Sequence, residues 1–352
     1  MSYETLKKLL FKFDPETAHG LAEFGLRGAS FVADAALQRA FCPRELKADL
    51  SQELFGKSYA NPIGIAGGFD KNATMIRPLA SLGFGFVEFG TFTPKPQSGN
   101  AKPRLFRLVQ ERSLQNAMGF NNEGMEAVQR NVAPLYPFRV PIWANVGKNK
   151  LTPNDKALED YEILVERFSQ KCDAFVLNIS SPNTPNLRAL QEEGFVSEAF
   201  SALKLKTTRP LALKLAPDIE PKKAVSLARA AVKSGAKILV CNNTSTDYSL
   251  SANAREFGGL SGEVITAKSR EFFDAVSSEV FGECVLVSCG GISNAKEAYE
   301  RVKMGANLVE IFTSFIFEGP SVAKRLCEGL CELLLADGYT ALSQAVGAKR
   351  RG

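Results

Sequence analysis

Short apolar runs alternate with longer amphipathic segments from about residue 60 to the end of the chain. Apolar runs of four or five residues without polar alternation are typical of strands that are buried on both faces, as in parallel sheets. This pattern predicts eight strands, at residues 62–66, 86–90, 142–146, 174–177, 211–215, 238–241, 284–288 and 308–312.

Helical periodicity fills most of the intervals between these strands, for example over residues 155–170, 221–234, 264–280 and 294–304. Gly83, Gly235 and Gly305 follow helical segments, where glycine is the usual C-terminal cap. Eight strand–helix repeats predict an α/β fold, a (β/α)8 TIM barrel over residues 46–340, with its site on the loops that follow the strands. An open doubly wound sheet is the alternative, but no G-x-G-x-x-G follows the first strand. The interval 91–141 exceeds one crossover helix and predicts an extra hairpin around residues 104–108.

Residues 1–45 do not fit the barrel pattern. Two runs of apolar residues at helical spacing flank Pro15, which predicts a helical hairpin whose second helix is capped by Asp14. The broad apolar face of this hairpin has two interpretations: it packs on the barrel and does nothing more, or it forms an apolar slot or a membrane-surface contact. The last segment, residues 341–352, is predicted to be a basic C-terminal tail.

Composition narrows the function classes. The 352 residues carry a net charge of +5, which suits an anionic small ligand and is too small to indicate nucleic-acid binding. The seven cysteines contain no C-x-x-C pair, so we predict neither a zinc site nor a disulfide framework. No signal peptide and no run of 18 apolar residues is apparent, and a reducing compartment fits best.

Polar loops follow several of the predicted strands. The uncharged segment 178–186 carries Ser181 and three Asn residues, and two prolines stiffen it. Gly290-Gly291 follows the seventh strand and Thr313 the eighth, the pair of barrel loops that commonly holds a phosphate. Lys214 lies inside an apolar strand, so it either pairs with a core carboxylate or provides a counter-charge for an electron-rich group. The single histidine, His19, lies outside the barrel, which leaves Ser, Lys, Tyr or Asp as the proton acceptor.

These loops contain motifs that resemble the dihydroorotate dehydrogenase family, specifically its membrane-associated, quinone-dependent class. The motifs run in family order along the barrel, and FDP at 13–15 with AH at 18–19 extends the match to the N-terminal hairpin. They are NPIGIAGGFDK (61–71), FGTFTPKPQ (89–97), KPRLFR (102–107), NAMGFNN (116–122), NVGK (145–148), NISSPNT (178–184), KLAP (214–217), GGLSG (258–262) and GGI (290–292).

The resemblance implies an FMN cofactor, oxidation of (S)-dihydroorotate to orotate in pyrimidine biosynthesis, and Ser181 as the catalytic base, with Thr184 and Phe120 in its proton-relay surroundings. The residues it implies for the substrate are Lys71, Asn116, Ala117, Met118, Gly119, Phe120, Asn178, Asn183, Asn243 and Thr244. Those implied for FMN are Gly67, Gly68, Lys71, Thr91, Asn145, Asn178, Lys214, Asn242, Gly262, Gly291, Phe312 and Thr313. His19 and Arg107 are implied to hydrogen-bond the quinone.

Ser at position 181, where the soluble classes use Cys, favours the quinone class. A ubiquinone or menaquinone would then be the acceptor, and the protein would lie peripherally on the inner face of the bacterial cell membrane. Two positions depart from the usual pattern, because Phe312 replaces a Tyr between flavin and quinone and Asn242 replaces a Thr. The alternatives are a flavin-free sugar-phosphate lyase or isomerase, a barrel that only binds a nucleotide or flavin, and a soluble fumarate- or NAD-linked relative.

Overall fold

The computed structural model describes residues 3–351. Their strands, in chain order, are β1 (Gln52–Leu54), β2 (Lys57–Tyr59), β3 (Ile63–Asp70), β4 (Phe86–Phe92), β5 (Leu105–Leu108), β6 (Ser113–Asn116), β7 (Ile142–Val146), β8 (Ala174–Asn178), β9 (Leu211–Leu215), β10 (Ile238–Cys241), β11 (Gly259–Gly262), β12 (Val285–Cys289) and β13 (Leu308–Ile311). The α-helices are α1 (Tyr3–Leu10), α2 (Pro15–Phe41), α3 (Ile76–Ser81), α4 (Gly124–Val132), α5 (Ala157–Phe168), α6 (Glu193–Leu203), α7 (Pro221–Ser234), α8 (Thr266–Val280), α9 (Ala295–Lys303), α10 (Thr313–Glu318), α11 (Val322–Ala336) and α12 (Leu342–Ala345).

Eight parallel strands close into a barrel in the order β3, β4, β7, β8, β9, β10, β12 and β13, which pairs back with β3. This confirms the predicted (β/α)8 fold and excludes the open sheet. The strands are buried on both faces, because helices cover the outside and layered side chains such as Trp143 and Phe86 fill the inside. The C-terminal strand ends therefore meet at one rim, where the polar loops converge.

The ends of the first and last barrel strands were predicted wrongly. The first strand continues past residue 66 to Asp70, because a register shift lets Asp70 pair with Phe89 of β4. The last strand stops at Ile311, and Phe312 adopts a non-helical conformation before α10. The interval 91–141 does contain the predicted hairpin, as β5 and β6, but β11 adds a third antiparallel strand that the pattern did not indicate.

The N-terminal segment is helical on both sides of Pro15. Asp14 caps α2 as predicted, since its carboxylate accepts hydrogen bonds from the amides of Glu16 and Thr17 at 3.0 and 3.2 Å. The helix α2 is kinked at Ala33, whose φ and ψ are −140° and 35°. The hairpin lies beside the barrel rim, with the Tyr3 hydroxyl donating to the carbonyl of Ile316 at 2.5 Å.

The segment 341–352, predicted as a basic tail, folds back onto the barrel in its described part. Leu342 and Ala345 of α12 are buried, and the Leu342 amide donates to the carbonyl of Asp49 at 2.7 Å. Arg350 donates to the carbonyls of Met304 and Asp274 at 3.1 and 3.2 Å. Arg350 therefore holds this described part of the segment against the barrel.

Candidate active site

One cavity of about 660 Å³ lies between the hairpin and the C-terminal rim of the barrel. Among the described residues it gathers nearly all of the side chains that the sequence predicted for substrate, flavin and quinone. Two of them, Ala117 and Asn145, do not line it directly. Apart from one oxygen of the Glu310 carboxyl, seven buried side-chain polar atoms have no hydrogen-bond partner in the described chain, and five of these belong to residues that line this cavity. Buried polar atoms are normally paired, so the cavity is built for a polar ligand.

Ser181 follows β8 in the loop stiffened by two prolines, and it is buried against the cavity. Its Oγ accepts a hydrogen bond from the amide N–H of Asn183 at 3.2 Å. This bond uses one lone pair of the oxygen, so the hydroxyl proton can point toward another group. The Thr184 Oγ1 is buried and has no partner within residues 3–351. A hydroxyl that receives a proton needs a second group to relay it, and Thr184 is three residues along the same loop.

Amide side chains on neighbouring strand ends form a connected network. The Asn178 Nδ2 donates to the Thr91 Oγ1 at 2.9 Å, and the Thr91 hydroxyl donates to the Asn145 Oδ1 at 2.5 Å. The Asn243 Nδ2 donates to the Asn178 Oδ1 at 3.2 Å. Asn145 is fully buried and also donates to the Glu88 carboxylate, so it orients its neighbours from behind the cavity wall.

A second pair joins the loop of Ser181 to the hairpin of β5 and β6. The Asn183 Nδ2 donates to the Asn116 Oδ1 at 2.9 Å, while the Asn183 Oδ1 is buried without a partner in the described chain. The Thr244 Oγ1 is likewise unpartnered among the described residues. Amides offer a donor and an acceptor side by side, so these groups match the edge of a planar ring that carries its own amide groups.

Lys71 introduces a cation into the same cavity. Its Nζ donates to the carbonyl of Gly68 at 2.7 Å, and burial lowers its pKa to about 8. The ammonium therefore stays charged near neutral pH but gains little from its protein surroundings. An anionic ligand would supply the missing counter-charge.

Lys214 provides a second cation, deeper in the barrel. Its Nζ lies 3.0 Å from a Glu88 oxygen and 3.2 Å from a Glu310 oxygen, and both carboxyl groups are fully buried. The core-carboxylate interpretation of Lys214 is thus observed, and the ammonium also lines the cavity. Burial would lower the pKa of Lys214, but the two carboxyl groups hold it above its usual range.

The two carboxyl groups cannot both ionise beside one ammonium. Burial and the neighbouring Glu88 charge raise the pKa of Glu310 well above its usual range, against the pull of Lys214. Burial opposes ionisation of Glu88 too, but Lys214 and a hydrogen bond from Glu310 hold the pKa of Glu88 below its usual value. The cluster therefore holds one ammonium, one carboxylate and one protonated acid, and its net charge is zero.

Glycines open the cavity beside this cluster. A Cβ on Gly67 would collide with the Glu88 carboxylate and the Asn145 amide, so only glycine lets β3 pass there. Gly291 has φ +72°, and a Cβ on it would collide with Thr266 at the start of α8. The hydroxyls of Ser261 and Thr313 lie 2.8 Å apart at the same end.

The hairpin side of the cavity is mainly apolar, and its polar groups include Tyr3, Glu16, His19 and Arg107. The His19 ring packs edge-on against Phe69 with centroids 5.1 Å apart, and Phe69 packs against Phe312 at 5.4 Å. Burial and the charge of Lys71 lower the pKa of His19 to about 4, so this imidazole is neutral. Arg107 donates to the carbonyl of Phe13 at 2.9 Å and lies over the ring of Phe11.

Sequence reasoning did not identify Glu88 or Glu310 as site residues. Each lies inside an apolar strand, which is the same signal that identified Lys214, and that signal could have found them. It also missed Arg188, which donates to the carbonyls of Ser180 and Thr244 at 2.8 and 2.9 Å and so joins two cavity loops. No cluster of three or more potential metal ligands occurs in residues 3–351, and the described helices include none long and apolar enough to cross a membrane.

Known proteins of one family match this chain in sequence and in structure. The family model "Dihydroorotate dehydrogenase" matches residues 49–334. A relative from a Nitratiruptor species, named dihydroorotate dehydrogenase (quinone), is 52% identical and aligned over 99% of both chains. The protein of that name from Sulfurimonas denitrificans is 49% identical over the full length of both. The crystal structure of DHODH from Eimeria tenella in complex with ferulenol matches with a TM-score of 0.86, at 31% identity over 96% of both chains.

Proposed function

The chain belongs to the dihydroorotate dehydrogenase family, and from this membership we propose that it oxidises (S)-dihydroorotate to orotate with a membrane quinone as the electron acceptor. This reaction serves pyrimidine biosynthesis. The observation that carries the proposal is the cavity in which Ser181, Lys71 and the amide network face an apolar opening lined by the hairpin.

The substrate is an anionic ring with amide groups, and the cavity offers matching partners. Lys71 binds the carboxylate, because its ammonium is buried and forms no ion pair within 4.0 Å among the described residues. Asn116, Asn183 and Asn243 surround the ring, and the unpartnered Asn183 Oδ1 accepts a hydrogen bond from a ring N–H. Arg188 holds the loops of Ser181 and Thr244 together so that both sides of the ring are contacted.

The residues present fit FMN as the flavin. The glycines at 67, 68 and 291 leave room beside the Lys214 cluster, and the Asn242 Oδ1 and Ser314 Oγ are buried and unpartnered in the described chain. We propose that Thr91, Asn178, Lys214 and Gly262 hold the ring system, with Asn145 orienting Thr91 and Asn178 from behind the wall, and that Gly291 and Thr313 hold the phosphate. When bound, FMN would supply the hydride acceptor that the side chains of this chain lack.

Proton removal from C5 of the substrate is assigned to Ser181 Oγ. Serine is a weak base, so its loop must hold the hydroxyl against the C5–H bond and pass the proton on, for which Thr184 Oγ1 is available. Lys214 stabilises negative charge that develops at the far side of the cavity. Cys172 and Cys241 are poor alternatives as bases, because burial raises the pKa of each thiol above its usual range.

The second half of the reaction is assigned to the hairpin. We propose that a ubiquinone or menaquinone enters between α1 and α2 and that its head group reaches His19 and Arg107. Phe24, Phe31 and Val32 are 81, 91 and 84% exposed on one helix, an arrangement that supports peripheral contact with the inner face of a bacterial membrane. Phe312 places an apolar ring where a phenol is common, so the head group lacks one hydrogen-bond partner there.

Anaerobic mixing of the purified protein with dihydroorotate tests the proposal. The flavin absorbance should bleach, and adding a quinone analogue should restore it. Unbleached flavin would refute dihydroorotate as the substrate. Bleaching without reoxidation by quinone would refute the acceptor and favour a soluble relative.

A further inference from the structure

An ion pair joins the hairpin to the loops around the substrate region. Glu16, two residues into α2, accepts two hydrogen bonds from Arg104: Nε to Oε1 at 2.8 Å and Nη2 to Oε2 at 3.1 Å. Arg104 is 6% exposed, so the pair is bidentate and largely withdrawn from water. Such a pair is directional and costly to break from one side, because the remaining charge stays buried.

The same guanidinium holds the loop that precedes β5. The Arg104 Nη1 donates to the carbonyls of Ser98 and Asn100, at 2.5 and 2.8 Å. All three guanidinium nitrogens thus have partners, two on Glu16 and the third on the loop. The position of residues 98–100 therefore depends on how Glu16 orients Arg104.

Asn100 connects this loop to the cavity wall through hydrogen bonds. Its Nδ2 donates to the carbonyl of Ala117 at 3.0 Å and to the carbonyl of Asn183 at 2.9 Å, and its amide donates to the carbonyl of Met118 at 3.0 Å. Residues 116–120 and Asn183 are those assigned to the substrate above. A continuous chain of hydrogen bonds thus leads from Glu16 through Arg104 and Asn100 to residues 117–118 and to Asn183 in the Ser181 loop.

We propose that Glu16 is a positioning residue for dihydroorotate, although it lies on the quinone hairpin: through Arg104 and Asn100 it sets the geometry of residues 116–118 and Asn183. The inference rests on the proposed function for the identity of the ligand. It makes the hairpin part of both half-sites, because the helix that lines the quinone entrance also holds the backbone of Ala117 and of Asn183, which belongs to the Ser181 loop.

A purely structural role for the ion pair has different consequences. If Glu16 only fastened the hairpin, its loss would loosen α2 and impair the quinone step. If Glu16 positions the cavity wall, its loss raises KM for dihydroorotate, while KM for quinone changes little. Its loss also speeds hydrogen exchange at the backbone amides of residues 97–104 and 117–122.

Glu16→Gln tests this in the flavin-loaded protein, since the amide keeps the size of the side chain and removes its charge. Lys102→Gln is the matched control, because the Lys102 ammonium lies 3.2 Å from the same carboxylate but is 67% exposed. We expect KM for dihydroorotate to rise about tenfold or more in Glu16→Gln, from the loss of a charged bidentate hydrogen bond, and to stay near the parent value in Lys102→Gln. Amide hydrogen exchange should be faster at Asn100 and Ala117 in Glu16→Gln alone.

An unchanged dihydroorotate KM with unchanged exchange would overturn the inference, as would a rise confined to the quinone KM. If Glu16→Gln fails to fold, Glu16→Gln/Arg104→Gln removes the unpaired guanidinium and carries the same test with the same expected KM. Failure of the proposed function is separate: the parent flavin would then not bleach with dihydroorotate at all, and the exchange measurement would still report on the loop.

Discussion

Replacing Glu310 by Gln should stabilise the protein at neutral pH. The cluster of Lys214, Glu88 and Glu310 contains one positive charge too few to leave both acids ionised, and burial together with the Glu88 charge raises the pKa of Glu310, which favours its protonated form. Gln has nearly the same shape, its NH2 group can donate to Glu88, and its oxygen can accept from Lys214. The variant keeps the hydrogen bonds of the cluster without having to take up a proton on folding.

The size of the effect follows from proton linkage. In the unfolded chain Glu310 ionises around its usual pKa of 4.5, whereas in the folded protein its pKa is well above that value. The folded parent therefore binds one more proton than the unfolded parent, and it loses about 1.4 kcal/mol of stability for each pH unit above 4.5. The loss relative to the Gln variant grows with pH up to the folded-state pKa of Glu310, and below pH 4 it vanishes.

Urea unfolding with saturating flavin at pH 5, 6 and 7 measures this difference. The variant should have the higher midpoint, the gap should widen as pH rises, and the slope of free energy on urea should be the same for both proteins. Glu88→Gln should behave similarly, because Glu310 then ionises and takes over as the counter-charge of Lys214.

The double variant Glu88→Gln/Glu310→Gln provides the contrast. It leaves the Lys214 ammonium buried without a carboxylate and should lose about 3–5 kcal/mol. A stability difference between parent and Glu310→Gln that stays constant from pH 5 to 7 would refute the shared-proton account, and so would a less stable Glu310→Gln.

Three further predictions concern the active site and the hairpin. Ser181→Ala should retain flavin, but the rate of flavin reduction in stopped flow should fall by about a hundredfold or more. Ser181→Cys should keep partial activity. A parent-like rate in the Ala variant would exclude Ser181 as the base. Because the pKa of Lys71 is about 8, affinity for orotate should be constant below that pH and fall about tenfold per unit above it in titration calorimetry. The Lys71→Met variant should bind orotate weakly, and its affinity should not change with pH over this range. Phe24→Ser/Phe31→Ser should lower vesicle binding in sedimentation and leave bleaching by dihydroorotate intact, whereas undiminished vesicle binding would place the membrane contact elsewhere.

The barrel could be predicted from the sequence because its strands are local signals. Runs such as residues 142–146, 211–215 and 238–241 are apolar on both faces, and the structure places strands over the same residues. The three-stranded sheet of β5, β6 and β11 had no comparable signal beyond its first strand. Its strands have four residues each and include polar ones such as Ser113 and Gln115. Hydrogen bonding to the neighbouring strands, and not an alternation of apolar residues, therefore makes them extended.

Side chains that point into the cavity from motif loops were also predictable, since each lies next to a strand end. The ion pairs between buried charged side chains could not be predicted in this way. Glu88 and Glu310 meet Lys214 across the barrel, and Glu16 meets Arg104 from 88 positions away, so these contacts exist only once the barrel and the hairpin have closed. A sequence shows that a buried charge needs a partner, but it does not show which one.

The three-stranded sheet of β5, β6 and β11 also has a consequence for biosynthesis. On the ribosome β6 is complete at residue 116, but β11 begins only at residue 259, so the third strand is missing while most of the barrel is being made. During that time Gln115, which finally bonds to the backbone of residues 255 and 257, has no partner, and one edge of β6 is unpaired. A short edge strand with polar side chains resists pairing with other nascent chains. From the polar side chains of β6 we therefore expect a low tendency of the unfinished polypeptide to aggregate before β11 has been made.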